Sequence, residues 1–284
     1  MLTVLNSILL STDYLKNKGI DSARINAELL LANILDCKRM DLYLRFDQPL
    51  SKYETESYRK ALKRRATKEP LQYIIGEVEF YGLVFNVNPK VLIPRQETEI
   101  LVETIIENST SGSDVKILDI GCGSGNIIIS LIKNIKNSNG VSIDISDDAI
   151  IIAKENAVKN EVANNISFVK KDILNDDIEN LGKFDIIVSN PPYVSKNEFE
   201  TLQKEILEHE PKIALTDFND GLSFYKTISE KAPILLRPNG QLFFEVGYNQ
   251  AEQVQNIMKE NGFNKINIVK DYSDIERVVY GELN

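Results

Sequence analysis

From Lys116 onward the chain alternates short apolar runs with helical patterns, and few architectures accept that order. Strands are read at residues 116–120, 140–145, 166–171, 184–189, 241–246, 265–269 and 277–280. Helical patterns at 127–135, 147–159 and 221–236 fall between most of them. Strands buried on both faces read as continuous apolar runs, and parallel neighbours need a helical crossover. The pattern therefore predicts an α/β fold with a doubly wound, mostly parallel, seven-stranded sheet. Only Asp271-Tyr272-Ser273-Asp274 and its flanks join the last two runs, which permits a terminal antiparallel hairpin.

Upstream the texture differs. Residues 1–70 read as short helices with polar breaks. Residues 22–35 carry Ile25, Leu29, Leu30 and Ile34 at helical spacing. Residues 51–66 form a polar helix bearing Arg59, Lys60, Lys63, Arg64 and Arg65. A solvated face is the ordinary outcome for such a run, and docking of an acidic partner is the functional alternative. From Gly76 the period changes to that of a hairpin pivoting near Gly82. An amphipathic helix then runs to about Asn108. The expected organisation is a helical domain over 1–75, a hairpin linker over 76–95 and the α/β domain over 96–284, with no flexible linker or internal repeat.

Composition removes several classes of function. At 284 residues the chain can bury one large core and a small one. Asn6, Ser7 and Asp13 interrupt the first apolar run, so no signal peptide is expected, and no stretch is apolar enough to span a bilayer. Cys37 and Cys122 are the only cysteines, which suits a reducing cytosol and neither a disulfide framework nor a zinc site. His209 is the sole histidine, expected on the surface of a polar helix; a Ser-His-Asp triad or His-rich metal site is disfavoured. Residues 1–75 hold 13 Lys and Arg against 9 Asp and Glu, net +4; the remainder holds 20 against 33, net −13. So acidic a domain repels a nucleic-acid backbone and argues against a direct nucleic-acid partner.

The first chemical signal is Lys116-Ile117-Leu118-Asp119-Ile120-Gly121-Cys122-Gly123-Ser124-Gly125, a strand running into a glycine turn and a helix. The dinucleotide fingerprint puts its third glycine one residue later, where this chain has Asn126. The spacing suits a nucleoside with an amino-acid tail better than a pyrophosphate, and Asp119 can meet an α-amino group directly or through water. The next strand ends near Asp144, about 20 residues past the glycines, where a carboxylate can take both ribose hydroxyls. A helix N-terminal acid is an equally ordinary reading of Asp144 alone. Asp172 closes the third strand and can accept an adenine amine, with Ile173 flanking the ring. Each signal is weak alone; together, on successive strand ends, they form a strong set.

The second signal is Asn190-Pro191-Pro192-Tyr193 at the end of the fourth strand. The Asn oxygen and the Pro191 carbonyl can accept the two hydrogens of a planar NH2 group, and a Tyr ring offers a face for stacking. Asn-Pro-Pro is also ordinary turn chemistry, and alone the two readings weigh evenly.

Taken together these residues resemble the class I S-adenosylmethionine-dependent methyltransferases. More closely, the chain is similar to the release factor glutamine methyltransferases, the HemK/PrmC family, over nearly its whole length. Leu92-Ile93-Pro94-Arg95, Thr98-Glu99, Gly121 to Gly125, Asn190 to Tyr193, Phe244-Glu245-Val246-Gly247 and residues 271–277 carry the likeness. The family commonly has Pro-Asp-Thr-Glu or Pro-Glu-Thr-Glu after the Arg; Gln96-Glu97-Thr98-Glu99 is a mild departure. A relative acting on a ribosomal protein typically reads Pro-Arg-Ser-Pro there, and this chain does not.

The resemblance implies methyl transfer from S-adenosylmethionine to the glutamine amide of a Gly-Gly-Gln loop in peptide chain release factors. It implies an acceptor site of Asn190, Pro191, Pro192 and Tyr193. Its cofactor site would comprise Asp119, Gly121, Cys122, Gly123, Ser124, Gly125, Asp144, Asp172, Ile173 and Asn190, with no metal. A cytoplasmic monomer is expected. The rivals are an amino methyltransferase acting on adenine or guanine in nucleic acid, and a non-catalytic nucleoside-binding module. A hydride-transferring dehydrogenase is disfavoured by the glycine spacing.

Overall fold

Thr3 opens the first helix: its hydroxyl accepts the Asn6 N–H at 3.3 Å, and α1 (Val4–Asn17) follows. Next come α2 (Ala23–Ile34), a short 3-10 turn over Arg39–Leu44, α3 (Lys52–Ala66) and α4 (Leu71–Ile75). Ser51 and Glu54 form a reciprocal capping box at the start of α3. The computed structural model describes residues 2–109 and 114–283. Its chain forms two compact units, the first extending to Glu77 and including the distant segment Gln203–His209.

Val4, Ile8, Leu15, Leu30, Leu31, Leu42, Tyr58 and Leu62 make the core of this first unit. The buried face of α2 is rotated from the apolar spacing in its sequence. Ile25 is exposed, while Asn26, Ala27, Glu28, Leu30 and Leu31 are buried. Polar residues enter because they are paired. Glu28 accepts from Arg24 Nε at 2.8 Å, Arg39 Nε at 2.7 Å and the Tyr43 hydroxyl at 3.0 Å. The basic run on α3 divides likewise. Arg59, Lys60 and Lys63 are exposed, and Arg64 forks onto Glu69. Arg65 departs from the solvated-face expectation: it is buried, donating to Asn26 Oδ1 at 2.7 Å, the Glu69 carbonyl at 2.8 Å and Glu205 Oε2 at 3.0 Å.

The second unit spans Val78–Leu202 and the chain from Glu210 onward. A hairpin of β1 (Glu77–Phe80) and β2 (Leu83–Asn86) opens it. Tyr81 and Gly82 both have positive φ, as a two-residue type I′ turn requires. The hairpin packs into this unit: Phe80 meets Phe85 edge-on at 6.0 Å, and both join the core cluster of the sheet. Then follow α5 (Glu97–Asn108), β3 (Val115–Ile120), α6 (Asn126–Asn134), β4 (Ser138–Asp144), α7 (Asp147–Lys159), β5 (Ile166–Lys170) and β6 (Phe184–Ser189). The chain continues through α8 (Lys196–Phe199), α9 (Lys204–His209), α10 (Ser223–Leu235), β7 (Leu236–Glu245), α11 (Ala251–Glu260), β8 (Phe263–Lys270) and β9 (Glu276–Leu283).

The seven-stranded sheet has the order β5-β4-β3-β6-β7-β9-β8, with β9 alone antiparallel to its neighbours. The β8–β9 turn explains that reversal. Asp271 Oδ1 accepts the N–H groups of Ser273 and Ile275, and its Oδ2 takes Arg277 Nε at 2.9 Å. Strand residues alternate between two cores. Ile117, Ile186, Val188 and Phe243 face the cluster containing α5 and α6. Leu118, Ile187, Leu242 and Phe244 face that containing α10 and α11. From β3 the chain winds outward through β4 and β5, then returns to β6 on the other side of β3. The carboxyl ends of β3 and β6 are thus a topological switch point, where open α/β sheets bind ligands.

Candidate active site

A cavity of about 370 Å³ lies at those strand ends. Its cofactor side is built by β3, β4 and the loop after β5. Gly121, Gly123 and Gly125 all have positive φ, so the turn after β3 doubles back over the end of β4. Gly121 and Cys122 both donate to the Ile143 carbonyl, at 2.9 and 3.0 Å, and Gly123 donates to Asp144 Oδ2 at 3.0 Å. These three N–H groups are consumed by β4. A turn whose amides are spent cannot cradle a pyrophosphate with them, which agrees with the glycine spacing. Gly125 is there for packing: a Cβ on it would come 2.9 Å from Ile129 Cδ1 and 3.2 Å from the Ala153 Cβ.

Gly121, Cys122, Gly123, Ser124, Asp144, Asp172, Ile173 and Asn190 all line the cavity. Asp144 holds two amides, Gly123 N and Ser146 N, the latter at 2.9 Å, so it acts both as loop anchor and as wall. Asp172 accepts from Leu174 N and Asn175 Nδ2. Asp119 and Gly125 are not on the wall. Asp119 is 0% exposed, with Ser142 donating to its Oδ2 at 2.6 Å and nothing bonded to its Oδ1 among the described residues. Burial and the nearby Asp144 charge push its pKa up to about 7 against the opposing Ser142 bond. A direct contact with a ligand ammonium is therefore not offered by Asp119. Burial likewise pushes the Cys122 thiol far up, so it is a packing group.

The acceptor side begins where Ser189 donates to the Ile120 carbonyl at 2.8 Å, tying β6 to β3 just before Asn190. Asn190 Nδ2 donates to Thr98 Oγ1 at 3.3 Å. No described group donates to Asn190 Oδ1 or to the Pro191 carbonyl. Asn190, Pro191 and Pro192 line the cavity together with Arg95 and Thr98. Tyr193 does not. Its ring lies against Gly247, where a Cβ would sit 2.8 Å from Tyr193 Cδ2, and, partly buried, it packs against the α10–α11 core. Gln250 bridges the two segments, donating to the Tyr193 carbonyl at 3.0 Å and accepting from Gly247 N at 3.0 Å. Tyr193 thus braces the turn from behind.

Three groups here were not singled out from sequence as site residues. Arg95 is held at the wall by buried Glu210. Thr98 is 2% exposed. Glu245, at the end of β7, is 3% exposed, and its Oε2 has no hydrogen-bond partner among the described residues. Burial drives its pKa up to about 7, against the pull of Thr98, Arg277 and Asn190 and with a further push from Glu97. Their sequence signal was faint but present: a lone carboxylate inside Leu242-Phe243-Phe244-Glu245-Val246. His209, expected at the surface, is only partly exposed, with its Nε2 buried and without a hydrogen-bond partner among the described residues; it lies in α9, in the first unit.

Comparison with known proteins agrees with this geometry. Residues 111–281 match a methyltransferase domain, and residues 10–76 match the PrmC N-terminal domain. The crystal structure of a methyltransferase from Pyrococcus furiosus has a TM-score of 0.51 at 20% identity, over 72% of this chain and 90% of that one. Sheet order, glycine turn and acidic strand ends define a class I methyltransferase. The release factor glutamine methyltransferase of Fusobacterium nucleatum subsp. nucleatum is 42% identical over 270 residues, 95% of this chain and 76% of its own. That of Geobacter sulfurreducens is 40% identical over 272 residues, 95% and 93% of the two chains. The chain belongs to the release factor glutamine methyltransferase family.

Proposed function

We propose that this chain methylates the side-chain amide nitrogen of the glutamine in an exposed Gly-Gly-Gln loop of peptide chain release factors, using S-adenosylmethionine. The observation that carries this reading is the commitment of Asn190 Nδ2 to Thr98, which leaves two carbonyl-type acceptors, Asn190 Oδ1 and Pro191 O, on consecutive residues that line the cavity. Two acceptors suit the two hydrogens of a primary amide. The names of the relatives supply the protein substrate.

The residues present fit the methyl donor. Asp144 would take ribose hydroxyls, Asp172 and Ile173 the adenine, and the Gly121–Ser124 turn the remainder, with Asp119 acting through what lies above it. When bound, the donor supplies an electrophilic methyl on a sulfonium. An amide nitrogen is a poor nucleophile because its lone pair is delocalised. Asn190 and Pro191 would hold both amide hydrogens and turn that lone pair toward the methyl. Such alignment can contribute up to about 7–11 kcal/mol in well-oriented systems. Pro192 stiffens the turn, and Tyr193 steadies it through Gly247 and Gln250. An N-alkylated amide is strongly acidic, so loss of its proton needs no tuned base.

Incubation with labelled donor and either intact release factor or RNA tests the reading. Label in the glutamine of the protein is expected; label in RNA would replace it with nucleic-acid amino methylation. Asn190→Ala should abolish single-turnover methylation and weaken S-adenosylhomocysteine binding far less, since the Asn190 contribution is largest in the transition state.

The first unit is the proposed second contact with the protein substrate, because one amide cannot distinguish a target among many glutamines. It is the net-positive part of the chain, and Arg59, Lys60 and Lys63 stand exposed on α3. Reversing those three charges should hurt methylation of whole release factor and spare that of a loop peptide; equal losses would remove the role. Cys37 and Cys122 are unbridged, in keeping with work in the cytosol, and a monomer suffices for this chemistry.

A further inference from the structure

The acceptor group depends on the orientation of one amide, and an amide can flip. An Asn side chain offers an oxygen on one side and an NH2 on the other, of nearly the same shape. If Asn190 turned over, it would present donors to a substrate amide that itself needs acceptors. Something must fix its sense.

Thr98 alone cannot, because a hydroxyl both donates and accepts. The group behind it can. Glu245 ends β7, and the parallel register pairs Ser189 with Phe244, so Asn190 and Glu245 emerge level at adjacent strand ends. Thr98 and Asn190 are the polar side chains that favour its ionised form from that side. The Tyr225 hydroxyl donates to the Glu245 backbone carbonyl at 2.9 Å, which anchors this strand end from the α10 side. Glu245 is buried and is not among the residues that line the cavity.

We infer that Glu245 is a positioning residue whose ionised carboxylate, acting through Thr98, sets the polarity of the chain Asn190–Thr98–Glu245 and keeps Asn190 Oδ1 turned to the acceptor. An ionised carboxylate only accepts. It draws the Thr98 hydroxyl hydrogen and any free Asn190 Nδ2 hydrogen. The Thr98 lone pairs are left for Asn190 Nδ2, the bond observed at 3.3 Å. A protonated or amide group at 245 can donate, and the polarity is then no longer dictated. The charged and titratable groups around it are Arg277 on β9, Glu97 at the start of α5, and Tyr193 after β6 and Tyr225 on α10. Of these Arg277 favours the ionised form and Glu97 opposes it.

This inference rests on the proposed amide acceptor, so its test has one arm that needs no substrate. In a side-chain amide 15N–1H spectrum, the Asn190 NH2 signal is identified by its loss in Asn190→Asp. It should shift with a midpoint at about pH 7 in the wild type and stay flat in Glu245→Gln. On release factor, Glu245→Gln should slow single turnover about 10- to 100-fold and flatten its rise through neutral pH. S-Adenosylhomocysteine affinity should be unchanged. Thr98→Ser should keep most of the rate and Thr98→Val should lose it as Glu245→Gln does. A flat wild-type NH2 signal, or a Glu245→Gln enzyme with wild-type rate and profile, overturns the inference. If release factor is not methylated by the wild type, the functional reading fails, and the NH2 titration still decides the inference.

Discussion

Glu28 in the first unit and Glu245 in the second are both nearly inaccessible, at 1% and 3% exposure, yet the protein treats them in opposite ways. Burial alone raises the pKa of each. Around Glu28, hydrogen bonds from Arg24, Arg39 and Tyr43 outweigh that cost, and its pKa lies below the usual carboxylate range. Around Glu245 the partners do not outweigh it, and its pKa rises to about 7. Asp119 follows Glu245, with one bonded oxygen and one orphan. A satisfied buried carboxylate holds a fold together; an under-satisfied one is tolerated where something other than stability is gained. Both orphans lie just behind the wall of the cavity.

The largest effect expected from this contrast is at Glu28. Glu28→Gln should cost about 2–3 kcal/mol at pH 7, because a buried amide cannot accept from Arg24, Arg39 and Tyr43 together, while the two half-exposed guanidiniums keep water around them. Cofactor affinity of the folded fraction should be intact. Because the folded pKa of Glu28 is lowered, its contribution is present above the unfolded value and is lost as pH falls through the folded one. Denaturant titration should therefore show the gap between the two proteins closing below about pH 4. A constant gap would mean that Glu28 stabilises by packing.

Asp144 is the intermediate case, satisfied by two amides yet on the wall. Asp144→Ala should weaken S-adenosylhomocysteine binding by about 1.5–3 kcal/mol per lost ribose bond. Calorimetry measures it; unchanged affinity would make Asp144 a loop anchor only.

Stability of the ligand-free protein should show the reverse pH dependence at Asp119. Its folded pKa is raised, so the folded state keeps a proton that the unfolded chain has released between about pH 4 and 7. Stability relative to Asp119→Asn should fall across that window, as followed by thermal melts at several pH values. Parallel curves would show that Asp119 is better satisfied than its orphan oxygen implies.

The smallest effect is at Arg65, where Lys cannot reproduce bonds to Asn26, Glu69 and Glu205 at once. Arg65→Lys should cost about 1–2 kcal/mol. If it costs nothing, pairing in the first unit is less exacting than at Glu28.

The alternation of strands and helices made the sheet, its switch point and the final hairpin legible before any coordinates. The meeting of Asp144, Asp172 and Asn190 on one cavity wall was legible too, because strand ends converge in such a sheet. Position along a strand does not say which way its last residues face. Ile120 reaches the wall while Asp119, one residue earlier, is sealed beneath Ser142. Gly125 and Tyr193 lie one residue beyond neighbours that do face the cavity, and packing against Ile129 and Gly247 claims them. Glu245 was hidden for another reason. Its neighbours Thr98 and Asn190 are distant in sequence, and only the β6–β7 register brings them together. The rotated face of α2 has the same origin: Glu28 is buried because Arg39 and Tyr43 come back to meet it.

The segment Gln203–His209, which closes with the first unit, carries a consequence for synthesis of the chain. Residues up to Glu77 emerge first, but Arg65 waits for Glu205. About 130 residues must be made in between, which at roughly 5–20 residues per second takes on the order of 6–25 s. The part of the protein born first is therefore completed only when the chain has reached His209. During that interval the Arg65 guanidinium has Asn26 and the Glu69 carbonyl within reach but lacks its carboxylate partner, and the nascent helices are open to whatever waits at the ribosomal exit.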